Sequence, residues 1–194
     1  MLMLSRTAAA LYWLGRYVER ADFTARLVEA TVRLDALSAR PAGEAAWRSA
    51  LAVSYTEDAF DATGEDAVQA NVVRFLTIDD SHPGSIVRSL DMARNNARAV
   101  RTALTREAWT SINRAWWLFH NRSTPAGPMA ILNLVESLKA ETRGFEGAIQ
   151  RMMRNEATWF IQLGANVERA DNTARLLDVK YHLLLPAGEM VGGV

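Results

Sequence analysis

The sequence predicts an all-α protein, an up-and-down helical bundle containing two pseudo-symmetric repeat helices. Apolar residues recur at three- and four-residue spacing through most of the chain, and few stretches alternate as a strand would. The breaks between the long amphipathic runs are short, which favours antiparallel neighbours. A fourteen-residue segment near the start also returns near the end.

In order, the first helix runs from about Ser5 to Ala36 and stops before Pro41, which cannot continue it. A shorter helix covers Glu44 to Ser54. Thr56 to Gly64 is acidic and turn-rich, so it reads as an exposed loop, and a helical pattern resumes from Glu65 to Phe75. Asp79 to Gly84 is a strong break. Ser85 caps a helix reaching about Leu104, and Thr105 caps the next through Phe119. After Asn121 to Gly127 come two long helices, about Met129 to Met153 and Glu156 to Leu185, the second ended by Pro186. Residues 1–186 read as one domain and 187–194 as a frayed tail. The six tryptophans read mostly as core anchors.

Composition narrows the function classes. The chain has 194 residues, 22 basic and 22 acidic, with 49% hydrophobic residues, so it can bury a core and has no basic surplus for nucleic acid. Zero cysteines exclude a disulfide scaffold, a thiolate metal site and a cysteine nucleophile. Ala8 to Leu14 is far too short to span a bilayer, for which about 20 residues are needed. Because much of the segment after Leu14 recurs late in the chain, this region reads as helix rather than signal peptide. A cytoplasmic protein with no membrane segment is the expectation.

The repeat carries the most information. Leu14 to Leu27 matches Leu163 to Leu176 at eleven of fourteen positions, with a constant offset of 149. At about 100° per residue, Gly15, Glu19, Asp22, Phe23 and Arg26 share one stripe of the first copy, and Arg20 sits at its margin. In the second copy the stripe holds Gly164, Glu168, Asp171, Asn172 and Arg175, with Arg169 at the margin. The opposite sides are apolar: Leu11, Leu14, Tyr17, Val18, Ala21, Ala25 and Val28 in one, Leu163, Val167, Ala170, Ala174 and Leu177 in the other.

A surface helix needs only its apolar side specified, yet here the polar side is duplicated too. Glycine inside a helix costs about 0.5–1 kcal/mol against alanine, so Gly15 and Gly164 predict a close approach by a partner helix or a ligand. Three readings are open. Asp22/Arg26 and Asp171/Arg175 are acid-before-base pairs at i,i+4, and two stripes facing each other would make a buried structural network. Alternatively the stripes line a polar crevice for a charged small molecule or a peptide end, or they form a face for a protein partner.

GRYVERADFTAR, GANVERADNTARLLDVKYHLLLP and the middle run FLTIDDSHPGSIVRSLDMARNNARAVRTAL resemble the alpha-E domain family, a bacterial all-helical domain named for its Glu-Arg motif. The resemblance covers most of the chain and places that motif on Glu19-Arg20 and Glu168-Arg169. It implies an ATP-grasp protein as partner, in a system that forms or modifies peptides. Members usually continue through further helices after the KYHLLLP segment, which implies here a truncated or abbreviated form whose exposed apolar surface favours self-association or a partner.

No autonomous catalytic motif occurs: there is no phosphate-binding G-x-x-x-x-G-K-[ST] and no G-x-S-x-G. A di-metal carboxylate bundle would need Glu-x-x-His pairs, and none is present. The one metal-like spacing, Asp178/His182, reads as a surface or capping pair, so neither metal nor cofactor is expected. Arg94, Arg98 and Arg101 form a basic stripe that reads as a solvated face. An accessory or binding subunit is the leading expectation. The alternative is an enzyme using Glu19 and Glu168 for acid–base chemistry on a peptide or amino acid.

Overall fold

The computed structural model describes residues 3–37, 40–120 and 122–184, except for the side chains at 40–43 and 180–184. Pro186 and the 187–194 tail lie outside the described residues. The eight α-helices among the described residues are α1 (Ser5–Leu37), α2 (Arg40–Ser54), α3 (Glu57–Asp61), α4 (Gln69–Thr77), α5 (Ile86–Ala99), α6 (Arg106–Phe119), α7 (Pro128–Arg151) and α8 (Glu156–Leu184). No helix among the described residues is long and apolar enough to cross a membrane.

The caps expected at Ser85 and Thr105 are present: each hydroxyl accepts from the backbone N–H three residues on, at 3.3 and 3.2 Å. Pro41 falls in the first turn of α2, where its missing N–H costs nothing. Asn155, overlooked in the sequence, caps α8 by accepting from Thr158 N–H at 3.2 Å.

Four expectations need correction. Residues 56–64 are not simply an exposed loop. They hold α3, whose Phe60 is fully buried and meets Phe75 edge-on at 5.3 Å, because one aromatic in an acidic segment suffices to anchor it. The helix after Gly64 starts only at Gln69. The Ser85 helix ends at Ala99 and tightens into a 3-10 turn at Arg101–Ala103, with the Arg101 guanidinium donating to the Leu104 carbonyl. Of the tryptophans, Trp47 is buried, whereas Trp13, Trp117 and Trp159 are exposed. Indole rings at helix margins find cover elsewhere: Trp13 stacks on Tyr17 and lies under Arg16, and Trp117 meets Trp116 edge-on.

α1 is the central rod. One apolar cluster joins Ala21 to Val32 with α2, α3, α4, the start of α5, the end of α6 and the start of α7. The other joins Leu11, Leu14 and Val18 with the end of α5, the start of α6, the end of α7 and the start of α8. These groupings run α5 and α7 antiparallel to α1. The two repeat helices lie side by side. Their contacts advance together, Tyr12 against Gly164, Arg20 against Glu168 and Glu19 against Arg169, so α8 runs parallel to α1.

Candidate functional site

Glycine decides how α1 and α8 meet. A Cβ added to Gly15 would lie 2.1 Å from the Ile161 carbonyl oxygen, and one added to Gly164 would lie 2.0 Å from that of Tyr12. The close approach predicted at both glycines is therefore made by the partner helix. The contacts are reciprocal: Tyr12 and Ile161 are equivalent positions under the offset of 149.

This backbone contact brings the two Glu-Arg pairs within reach of each other, and they cross. Glu168 is 2% exposed and accepts from Arg20 Nε at 2.6 Å, from a second Arg20 nitrogen at 3.1 Å and from Arg16 Nε. Glu19 accepts two bonds from Arg169, at 2.8 and 2.7 Å. Bidentate guanidinium–carboxylate geometry of this kind is both stronger and more directional than a neutral hydrogen bond. The Glu19 bonds, against the cost of partial burial, hold Arg169 well above its ordinary range.

The two crossed pairs do not share one crevice. α7 and α8 are joined by only 152–155, yet their backbones diverge and scarcely approach. Between them opens a cleft of about 610 Å³, floored by Gly15, Val18 and Asp22 of α1. Of the ten residues singled out in the sequence, Gly15, Glu19, Asp22, Arg26 and Arg169 line this cleft. Arg20, Gly164, Glu168, Asp171 and Arg175 do not. Arg175 pairs with Asp171 at 2.8 Å, donates to the Ser54 carbonyl and lies over the Tyr55 ring, so its side of α8 serves to hold the end of α2. Parallel helices that touch at their glycines send like stripes to opposite sides, which is why a joint network of both stripes does not form. Of the two carboxylates named for acid–base chemistry, Glu19 is in the cleft wall and Glu168 lies outside it.

Within the cleft, Asp22 is 8% exposed and fully engaged. Arg26 Nε donates to one carboxylate oxygen and Thr142 Oγ1 to the other, each at 2.5 Å. The Asp22 hydrogen bond raises the Arg26 pKa. Asn172 is 6% exposed and lines the same cleft, and its Nδ2 has no acceptor. An unpaired buried amide costs roughly 1–3 kcal/mol, so its presence beside a cleft invites an acceptor from outside. Arg143 and Glu146 of α7 line the opposite wall, and Phe23, Phe145, Ile149 and Ile161 give it apolar surface. Glu146 reaches across to Arg169 at 3.8 Å.

Arg16, Thr142, Arg143 and Glu146 escaped the sequence reading. Arg16 faces Ala165 in the repeat alignment, so a search for duplicated polar positions passes over it. The α7 residues lie outside the repeat, and their sequence signal was only the polar edge of an amphipathic helix. Elsewhere, the basic stripe is partly occupied: Arg94 lies over the Trp116 ring at 4.3 Å and donates to Asn113, and Arg101 lies over Trp109. Asp178 accepts from the Tyr55 hydroxyl at 3.0 Å, while the His182 side chain lies outside the described residues. Among the described residues no group of three or more His, Asp or Glu is placed to hold a metal.

A family model described as a predicted alpha-helical domain with a conserved ER motif matches residues 3–192. Uncharacterised proteins of Mycobacterium bovis and of two Mycobacterium tuberculosis strains are each 27% identical over 183 residues, covering 84% of this chain and 21% of the relative. The chain thus spans about a fifth of the length of the curated relatives it matches. No solved structure matches it.

Proposed function

The chain belongs to the Alpha-E family of helical domains, and from that premise we propose that it is an accessory, binding subunit whose ligand enters the cleft between α7 and α8. The family's Glu-Arg dipeptides occur twice in this chain, and both act as cross-links between α1 and α8. The Glu19–Arg169 pair also lines the cleft, whereas the Glu168–Arg20 pair lies outside it.

The observation that carries the reading is the cleft itself. It offers guanidinium groups at Arg26, Arg143 and Arg169, a carboxylate at Glu146, an amide donor without an acceptor at Asn172, and phenylalanine surface between them. Small-molecule sites combine apolar walls with a few convergent polar groups in this way. Paired opposite charges suit a ligand that carries both, such as the end of a peptide or an amino acid. On this reading the subunit works in the cytoplasm beside an ATP-grasp partner that joins or modifies peptides, as the resemblance of its motifs implies.

Calorimetric titration with a panel of dipeptides tests the ligand. Arg143 is half exposed and bonds Glu136, so Arg143→Ala should weaken binding while leaving the melting temperature in place. Binding that ignores Arg143 would remove the cleft from the proposal. Co-purification with an ATP-grasp protein encoded nearby tests the partner, and failure of the two proteins to associate would remove it.

A further inference from the structure

α8 turns its apolar side outward. Trp159, Leu163, Val167 and Leu177 are 58%, 51%, 38% and 66% exposed, and Ala170 and Ala174 between them are exposed as well. At 100° per residue all six lie within about 80° of one another, so they form one continuous stripe. Contiguous exposed apolar surface of this kind marks an interaction site.

The repeat shows what such a stripe accommodates. Shifted by 149, Leu163, Val167, Ala170, Ala174 and Leu177 become Leu14, Val18, Ala21, Ala25 and Val28, every one of them at most 6% exposed. α5 lies against α1 in the antiparallel sense and shares both apolar clusters with this stripe. Ile86 and Leu90 sit in the apolar cluster with Ala21, Ala25 and Val28, and Ala93 and Ala97 in the cluster with Leu14 and Val18. In each cluster the branched residues of one helix are grouped with the alanines of the other. α8 carries the same order of side-chain sizes, and no helix among the described residues lies along its outer stripe.

We propose that the outer stripe of α8 is the docking site for an amphipathic helix of a partner polypeptide with the chemistry of α5: antiparallel to α8, with branched aliphatics and then alanines at i, i+4, i+7 and i+11. Such a helix lays its apolar face on the receptor face and is read by those spaced anchors. This site is distinct from the cleft and does not depend on it.

The test uses the whole chain and, as probe, a fluorescein-labelled, helix-stapled peptide with the sequence of residues 85–100. Saturable binding by fluorescence anisotropy is expected. Val167→Asp and Ala170→Arg change exposed positions, so both variants should keep their circular dichroism spectrum, yet each should weaken the probe by about tenfold or more, as a central interface contact does. Arg143→Ala in the cleft should leave probe affinity unchanged. The proposal is overturned if the chain does not bind the probe, or if the two α8 variants bind it as well as the parent. It is equally overturned if sedimentation shows a dimer that those variants dissociate, because the occupant is then a second copy of this chain.

Discussion

Arg20 of α1 meets Glu168 of α8 through two hydrogen bonds, although both come from the same dipeptide in the two repeats. The crossed counterpart, Glu19 with Arg169, has similar geometry but more water: the Arg169 side chain is 52% exposed, against 29% for Arg20. Burial therefore separates two pairs that the sequence makes alike.

Glu168→Gln removes the charge that neutralises Arg16 and Arg20 at a 2% exposed site, and should cost about 3 kcal/mol, as breaking a buried ion pair does. Glu19→Gln leaves an arginine that water can solvate, and should cost less than about 1 kcal/mol. Urea denaturation of the two variants measures the difference. Equal losses would contradict the asymmetry.

Gly15→Ala and Gly164→Ala should each destabilise the fold. In an isolated helix the change would favour the folded state by about 0.5–1 kcal/mol. Here each new methyl would lie about 2 Å from a carbonyl oxygen of the facing helix, so the helices must part. Overpacking of that kind costs roughly 1–3 kcal/mol, and thermal denaturation would record a fall rather than a gain.

These glycines also mark how far the sequence could be read. Repeated helix-interior glycine implied close approach, and the structure supplies the approaching backbone. The helix caps at Ser85 and Thr105 were legible because capping is local chemistry. What the sequence could not disclose was direction: a helical wheel identifies a polar side but not what faces it. The polar residues Glu168 and Asn172 are buried in α8 while Leu163, Val167 and Leu177 are exposed, an inversion of the ordinary amphipathic rule that only the neighbouring helices decide. The α7 wall of the cleft was out of reach for the same reason, since Thr142, Arg143 and Glu146 acquire meaning only when α7 is set opposite α8.

His82 makes stability depend on pH below neutrality. Its ring stacks on Phe75 with centroids 4.2 Å apart, it is 7% exposed, and its Nε2 has no partner. Burial lowers its pKa from the ordinary 6.5, against a smaller opposing pull from Asp79. The unfolded chain therefore takes up a proton first as pH falls. The stability this group contributes is complete above about 6.5 and is lost as pH drops through the folded value. Melting temperatures at pH 7.5 and 5.5 should differ in the parent, and His82→Phe, which keeps an aromatic ring on Phe75, should shrink that difference. An unchanged difference would assign the acid sensitivity to other groups.

Thr142 ties the α7 wall of the cleft to its floor. It lies in α7 between Leu138 of one apolar cluster and Phe145 of the other, and its hydroxyl donates to Asp22 Oδ1 across from α1. Thr142→Val keeps the side-chain shape but removes that donor, leaving one oxygen of a buried carboxylate short of a partner. The expected cost is about 1–3 kcal/mol, since hydrogen bonds to charged groups exceed neutral ones. Thr142→Ser retains the hydroxyl and should recover much of the loss. Because Asp22 and Arg26 form the floor and rim on this side, the valine variant should also speed hydrogen exchange along the middle of α7, where the wall is tied to α1. A valine variant as stable as the parent, with exchange unchanged, would show that the Thr142–Asp22 bond does not position α7 against α1, leaving that to apolar packing and the Lys139–Glu29 ion pair.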